Sequence, residues 1–323
     1  MSVRRADTGY APPARVRGVA LITVLLILAI LTAMVGRLSF SNQVWVSQVG
    51  NGVAFLQSAQ ATRAVQDRVG IILAQDDNEY DSFRDDWAQP LPPLPVGPAS
   101  VQGYLEDMQA RINLNSLLDG KGVPDREAVQ RFKRLLRILE LNPDIAGAVI
   151  DWMDGDGDVS GPWGAEDGYY LGMNPPYLAA NRRFRDAAEL RLVRGVNRAV
   201  WHRLKPFVSA LPQADTAVNI NTASPEVLAS VVPNRGSPRR ALAEAVQWAS
   251  KARQTPFESV REFYDATGLD YDDDEPPTGL GVRSKFFLAH TRVETGNHSR
   301  SVATLYQRAA GRARVLAHWR EFE

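Results

Sequence analysis

The sequence predicts an α+β fold in which a long N-terminal helix and an antiparallel sheet are separated along the chain by a large, mainly helical insertion. Three observations carry this. Val19–Val35 is almost wholly apolar, and Phe40–Ala74 continues without a proline. The middle of the chain repeats apolar residues at i, i+3 and i+4, the helical interval. The C-terminal stretch instead alternates apolar and polar residues, the strand interval.

The N-terminal segment sets the topology. A basic stretch ends at Gly18, and the apolar segment Val19–Val35 starts directly after it. Its length lies near the lower limit of about 17–25 residues needed to span a bilayer. Arg4, Arg5, Arg15 and Arg17 precede it, whereas Arg37 alone follows closely. The positive-inside bias therefore places the N-terminus in the cytoplasm and the bulk of the chain outside. A secretory signal peptide carries its small-residue cleavage site after the apolar stretch. Here Gly18 precedes it, so processing after Gly18 would keep the helix. An ordinary signal anchor gives the same topology, and this segment alone leaves both readings open.

Beyond it, Val44, Val49, Val53, Leu56, Val65, Val69 and Leu73 mark one helical face expected to be buried, with Gly50 and Gly52 as points of weakness. Asp76–Glu79 ends the helix, and the prolines from Pro90 to Pro98 exclude another. Val101–Ile112 has strand composition. Arg126–Leu141 and Asp144–Trp152 read as helices, followed by shorter ones at Ala187–Val193, Arg198–Leu204, Pro225–Val231, Pro238–Lys251 and Ser259–Thr267. Ser224 before Pro225 and Ser237 before Pro238 fit an N-cap followed by proline in the first turn. Lys285–Glu294, Ser301–Ala309 and Arg312–Phe322 read as three consecutive antiparallel strands, with Gly296-Asn297 and Gly311 near the turns. A weak internal echo pairs Ile112-Asn-Leu-Asn with Ile220-Asn-Thr-Ala, and Ala148-Val-Ile-Asp-Trp with Ala245-Val-Gln-Trp. It predicts two small helical subdomains within the insertion.

Composition narrows the chemistry. The 37 basic residues balance 37 acidic ones, so no global charge argues for nucleic acid or anionic lipid. The absence of cysteine excludes disulfides, thiolate nucleophiles and Cys-zinc sites. His202, His290, His298 and His318 show no metal-ligand spacing. No Walker loop, dinucleotide fingerprint, serine elbow or zincin motif is present, so the sequence gives no positive sign of an enzyme.

The densest chemistry is Asp151-Trp-Met-Asp154-Gly-Asp156-Gly-Asp158, with Glu166-Asp167 following. Carboxylates crowded in a glycine-rich turn repel one another unless their oxygens surround a hard cation, and Ca²⁺ takes about six to eight oxygen ligands. Asp154, Asp156 and Asp158 match the first three ligand positions of an EF-hand loop. Val159 and Ala165 then occupy the places of its turn glycine and bidentate glutamate, so the loop is not an EF-hand. A solvated acidic turn is the competing reading. The run Asp270 and Asp272–Glu275 reads as a solvated loop.

The basic leader ending in Gly18, with the apolar helix starting at Val19, resembles the class III signal of type IV prepilins and type II secretion pseudopilins. At the fifth residue after the cut most pilins carry a glutamate, paired with the amine of a neighbouring subunit; this chain has Thr23. The run from Asp151-Trp152 through Glu166-Asp167-Gly-Tyr-Tyr, Pro175-Pro-Tyr and Glu189-Leu-Arg-Leu-Val193 resembles the insertion of the K-type minor pseudopilins. So do Val218-Asn-Ile-Asn-Thr-Ala and the strands from Val302 to Phe322. The resemblance implies a leader over 1–18, a transmembrane and filament-core helix over 19–36, and a pilin-like domain over 37–110 and 281–323, interrupted by an insertion over 111–280. It implies prepilin peptidase cleavage between Gly18 and Val19, and a place at the tip of a periplasmic pseudopilus. There Thr23 has no subunit above it whose amine needs a carboxylate. By the same resemblance, Asp151, Asp154, Asp156, Asp158, Glu166 and Asp167 are candidate ligands for a structural Ca²⁺. The implied partners are the I- and J-type minor pseudopilins, the prepilin peptidase and the inner-membrane assembly platform, with secreted cargo a further candidate.

Val218-Asn-Ile-Asn-Thr-Ala-Ser-Pro-Glu-Val-Leu also resembles the start of a helix-hairpin-helix module of membrane-anchored DNA receptors, the alternative function. Such a hairpin presents backbone N–H groups to phosphate. In Pro233-Asn-Arg-Gly-Ser-Pro238 the paired-glycine turn is missing and Pro238 removes a donor. Arg235, Arg239 and Arg240 are offset by nearby acids, so a scaffold without a nucleic-acid role is the favoured reading.

Overall fold

The computed structural model describes residues 19–76, 79–233, 236–274, 276–296, 298–309 and 311–321. Gly18, Asn234, Arg235, Glu275, Asn297 and Phe322 lie outside the described residues. The chain divides into two compact units, Met1–Leu56 and Gln57–Glu323.

In chain order, helix α1 (Val19–Gln75) leads to strands β1 (Leu91–Val96), β2 (Ala99–Asp107) and the short β3 (Ile112–Asn113). Helices α2 (Arg126–Ile138), α3 (Ile145–Met153), α4 (Asp167–Leu171) and α5 (Arg198–Leu204) follow, then the short strands β4 (Val208–Ser209) and β5 (Val218–Asn219). After α6 (Pro225–Val231), α7 (Pro238–Gln254), α8 (Val260–Thr267) and β6 (Leu280–Gly281), the chain ends in β7 (Phe286–Thr295), β8 (His298–Ala309) and β9 (Arg312–Glu321).

In the first unit α1 is one uninterrupted helix through Gly50 and Gly52, and its apolar side chains are exposed, Leu21 and Val35 each at 65%. The expected buried face fails in this part: Val44, Val49, Val53 and Leu56 are also exposed. Burial starts only at Ser58 and Ala61 and runs through Val69 and Leu73. Helical periodicity identifies an apolar face but says nothing about whether the same chain covers it.

In the second unit the sheet has the order β1-β2-β7-β8-β9, all antiparallel, so it holds two strands more than the three read from the C-terminal alternation. β2 is the strand expected near Val101, shortened to end at Asp107. β1 was hidden because it is built from Leu-Pro-Pro-Leu-Pro-Val. Proline cannot donate to a ladder, but an edge strand needs donors on one side only. One face of the sheet packs Leu105, Phe287, Ala289 and Tyr306 against Val69 and Leu73 of α1, with Trp87 edge-on to Phe287.

The insertion has its own apolar core, one continuous cluster from Ile112 to Leu280. Its helices start where their caps dictate: Ser224 accepts from the Val227 amide and Ser237 from the Arg240 amide, both at 3.4 Å. Ala187–Leu192 is a 3₁₀ helix, closed by a capping box of Asp186 and Glu189. The internal echo is real but shifted by two residues from the sequence pairing. Asn115 exchanges two hydrogen bonds with the backbone of Phe184 (2.8 and 2.9 Å), and Asn221 does the same with Phe257 (2.8 and 2.9 Å). Asn113 and Asn219 then accept from the amides of Asn115 and Asn221. The equivalent segments are therefore Ile112-Asn-Leu-Asn and Val218-Asn-Ile-Asn, each beginning in a two-residue parallel strand pair, β3 with β4 and β5 with β6.

Candidate metal centre

Helix α3 is buried on every residue, and its last turn delivers the acidic loop. Asp151, fully buried, is consumed by the backbone: it accepts from the amide of Ser160 at 2.9 Å and from that of Ala165 at 2.6 Å. These bonds fold the loop back over its own helix. Two glycines permit the approach, because a Cβ at Gly147 would strike the Ser160 carbonyl and one at Gly164 would strike the Asp151 carboxylate.

The fold-back brings together Asp154, Asp156 and Glu166, each offering a carboxylate oxygen within 4.8 Å of the others. Asp154 is only 6% exposed, and its Oδ1 is buried with no hydrogen-bond partner; Oε1 of Glu166 is in the same condition. Such orphaned acceptors are rare in native proteins and signal an absent partner. Burial, then repulsion from Asp156 and Asp151, pushes the Asp154 carboxyl up to about 6. Burial, then repulsion from Asp151, Asp154, Asp156 and Asp167, pushes Glu166 up to about 7. Unpaired acceptor oxygens whose ionised form is disfavoured are a donor set for a hard cation.

The other sequence candidates stand around this trio. Asp158 is exposed and donates its amide to the Asp156 carboxylate at 2.9 Å. Asp167 starts α4 and accepts from the amide of Ala179 at 2.9 Å. Motif reading did not single out Arg194, which braces the loop at Gly164. It donates to the Gly164 carbonyl at 2.9 Å and lies over the rings of Trp163 and Tyr169, 5.6 and 4.8 Å from their centroids. No spacing signal marks it, since its partners are a carbonyl and two ring faces. Tyr170 and Tyr177 pack on Trp152, with centroids at 5.2 and 6.3 Å.

A second acidic group, Asp76, Asp81 and Asp85, also offers mutually close carboxylate oxygens, but carries its own cation. Arg308 donates to Asp76 at 2.6 Å, to Asp81, and to the Ser284 carbonyl at 2.8 Å.

A family model for type II secretion system protein K matches residues 110–213, and a second for the same protein matches 218–283. Type II secretion system protein K of Aeromonas hydrophila is 31% identical, over 93% of this chain and 95% of its own length. The chain belongs to the type II secretion system protein K family. The Pseudomonas aeruginosa member is also 31% identical, over 93% of this chain and 91% of its own. A chain of the crystal structure of the GspK-GspI-GspJ complex from the enterotoxigenic Escherichia coli type 2 secretion system shares the fold. Its TM-score is 0.69 at 25% identity, covering 86% of this chain and 99% of that one. The protein is thus a minor pseudopilin, as the prepilin-like leader, Thr23 and the insertion motifs implied. Its long apolar helix at Val19 fits a single-pass membrane anchor. The DNA-receptor alternative is not supported: the segment containing Val218-Asn-Ile-Asn-Thr-Ala falls within the second protein K match.

Proposed function

We propose that this minor pseudopilin forms the tip of the periplasmic pseudopilus and helps initiate its assembly, together with I- and J-type minor pseudopilins. Thr23 carries the tip position. Its hydroxyl donates to the Ala20 carbonyl of its own helix at 2.9 Å, so the side chain needs no partner from a subunit above. A glutamate there would be an unpaired carboxylate at membrane depth, a costly arrangement. The likeness to a chain of the GspK-GspI-GspJ complex supports the choice of partners. Cleavage by prepilin peptidase between Gly18 and Val19 precedes assembly, and the inner-membrane platform then extrudes the helix. The N-terminus faces the cytoplasm and the bulk the periplasm, following the arginine bias. Gold-labelled antibody should mark assembled pseudopili at one end only; labelling along their length would contradict a tip role.

In the same reading, Asp154, Asp156 and Glu166 hold a structural Ca²⁺, with Asp158 and Asp167 close enough in sequence to complete the shell. Asp151 shapes the loop through its two backbone bonds. The ion supplies the positive charge that the loop lacks and fixes the 151–167 segment on its helix. Melting of the full chain should rise with Ca²⁺ and fall with a chelator. Identical melting in both would return the loop to a solvated acidic turn.

A further inference from the structure

The outer face of the sheet, opposite α1, meets the insertion in a cleft of about 570 Å³. On that face β8 and β9 pair Leu305 with Ala317 and Gln307 with Arg314. Three arginines, Arg183, Arg185 and Arg314, line the cleft together with the apolar Leu305, Leu316 and Ala317. Among the described residues no carboxylate lines it. Arg183 donates to the Asp119 carbonyl at 2.7 Å and Arg314 to the Gln307 side-chain oxygen at 3.2 Å. Both acceptors are neutral, so neither bond cancels a charge. The insertion wall is fixed, because Asn115 clamps the Phe184 backbone and also bonds the Leu211 carbonyl at 2.8 Å.

The geometry points to a docking cleft for an extended acidic segment of a partner protein. Its carboxylates would meet the arginines and an apolar side chain would rest on Leu305, Leu316 and Ala317. Charge complementarity selects this occupant: three cations with no acid in one concavity repel a basic segment and attract an acidic one. Guanidinium groups also pair carboxylates bidentately, which adds orientation to attraction. β9 is the edge strand of its sheet, so its outer row of backbone N–H and C=O groups is open to a segment running alongside. The tip reading does not depend on this surface, nor the surface on it.

The test uses the full chain in phosphatidylcholine nanodiscs and two rhodamine-labelled peptides, one alternating glutamate with leucine and one alternating lysine with leucine, read by fluorescence anisotropy. The glutamate peptide should bind and the lysine peptide should not. The double variant Arg185→Glu/Arg314→Glu should weaken the glutamate peptide about tenfold or more, because two attractive pairs are lost and two repulsions added. The same variant should now bind the lysine peptide, a gain that a misfolded cleft cannot produce. Equal binding of both peptides, or glutamate-peptide binding untouched in the variant, overturns the proposal. So does tighter binding to phosphatidylglycerol vesicles that the variant abolishes, since that assigns the cleft to anionic lipid.

Discussion

Two acidic clusters in the second unit solve the same electrostatic problem in opposite ways. Around Arg308, whose side chain is 7% exposed, the chain supplies its own counter-charge to Asp76 and Asp81. Beside it Asp107 takes donors from Ser284 and Thr222 at 2.6 Å, Asn219 at 3.0 Å and the Gln109 amide at 2.8 Å. In the loop after α3 Asp154 and Glu166 each keep a buried oxygen without a hydrogen-bond partner, and among the described residues no arginine or lysine is bonded to either carboxylate. The first cluster is complete as folded, whereas the second keeps unpartnered oxygens that, on the function proposed above, an ion from solution completes. Completeness is still not free of cost. Burial outweighs Arg308 and lifts Asp81 to about 6, with Asp107 adding repulsion.

The comparison can be broken at its complete end first. Arg308→Ala leaves the buried Asp81 and the adjoining Asp76 without their counter-charge and should cost about 3–5 kcal/mol, with or without Ca²⁺. Urea unfolding checks this, and a cost that Ca²⁺ relieves would show the two clusters to be alike. At the incomplete end, removing free calcium that had been held at about 100 times its dissociation constant should cost about 2.7 kcal/mol. Asp154→Asn should abolish that response.

Smaller and more diagnostic is a reversal of sign. Glu166→Gln should lower the melting temperature in calcium, where a ligand is lost. It should raise the melting temperature slightly in chelator, where a repelling charge is lost. A drop in both conditions would mean that Glu166 serves packing alone. The smallest effect is in pH. The folded chain raises Asp154 to about 6 and Glu166 to about 7, so it binds more protons than the unfolded chain. Their stabilising contribution is therefore fully present below the ordinary carboxylate range and lost as pH rises through about 6 and 7. In chelator the wild type should gain more stability on acidification than Asp154→Asn/Glu166→Gln. Asp81 contributes with the same sign to both proteins and cancels from the difference.

Local signals in the sequence reached far into this molecule. The serine caps before Pro225 and Pro238, the alternation of β7 to β9 and the crowding of Asp154, Asp156 and Glu166 are all encoded within short windows. What stayed hidden was set at long range. Arg308 joins Asp81 across 227 residues and Asn115 joins Leu211 across 96, and no spacing rule signals either. The echo around Ile220 was misaligned because apolar-Asn repeats twice in Val218-Asn-Ile-Asn, and only the Phe257 clamp shows which asparagine matches Asn115. β1 was missed because three prolines argue against any strand except one at an edge.

The central claim, a pseudopilin whose apolar helix is retained after processing, meets its most direct test in the mass of the membrane-expressed chain with and without prepilin peptidase. With the peptidase, the account predicts a chain beginning at Val19. An intact leader in both samples would contradict it.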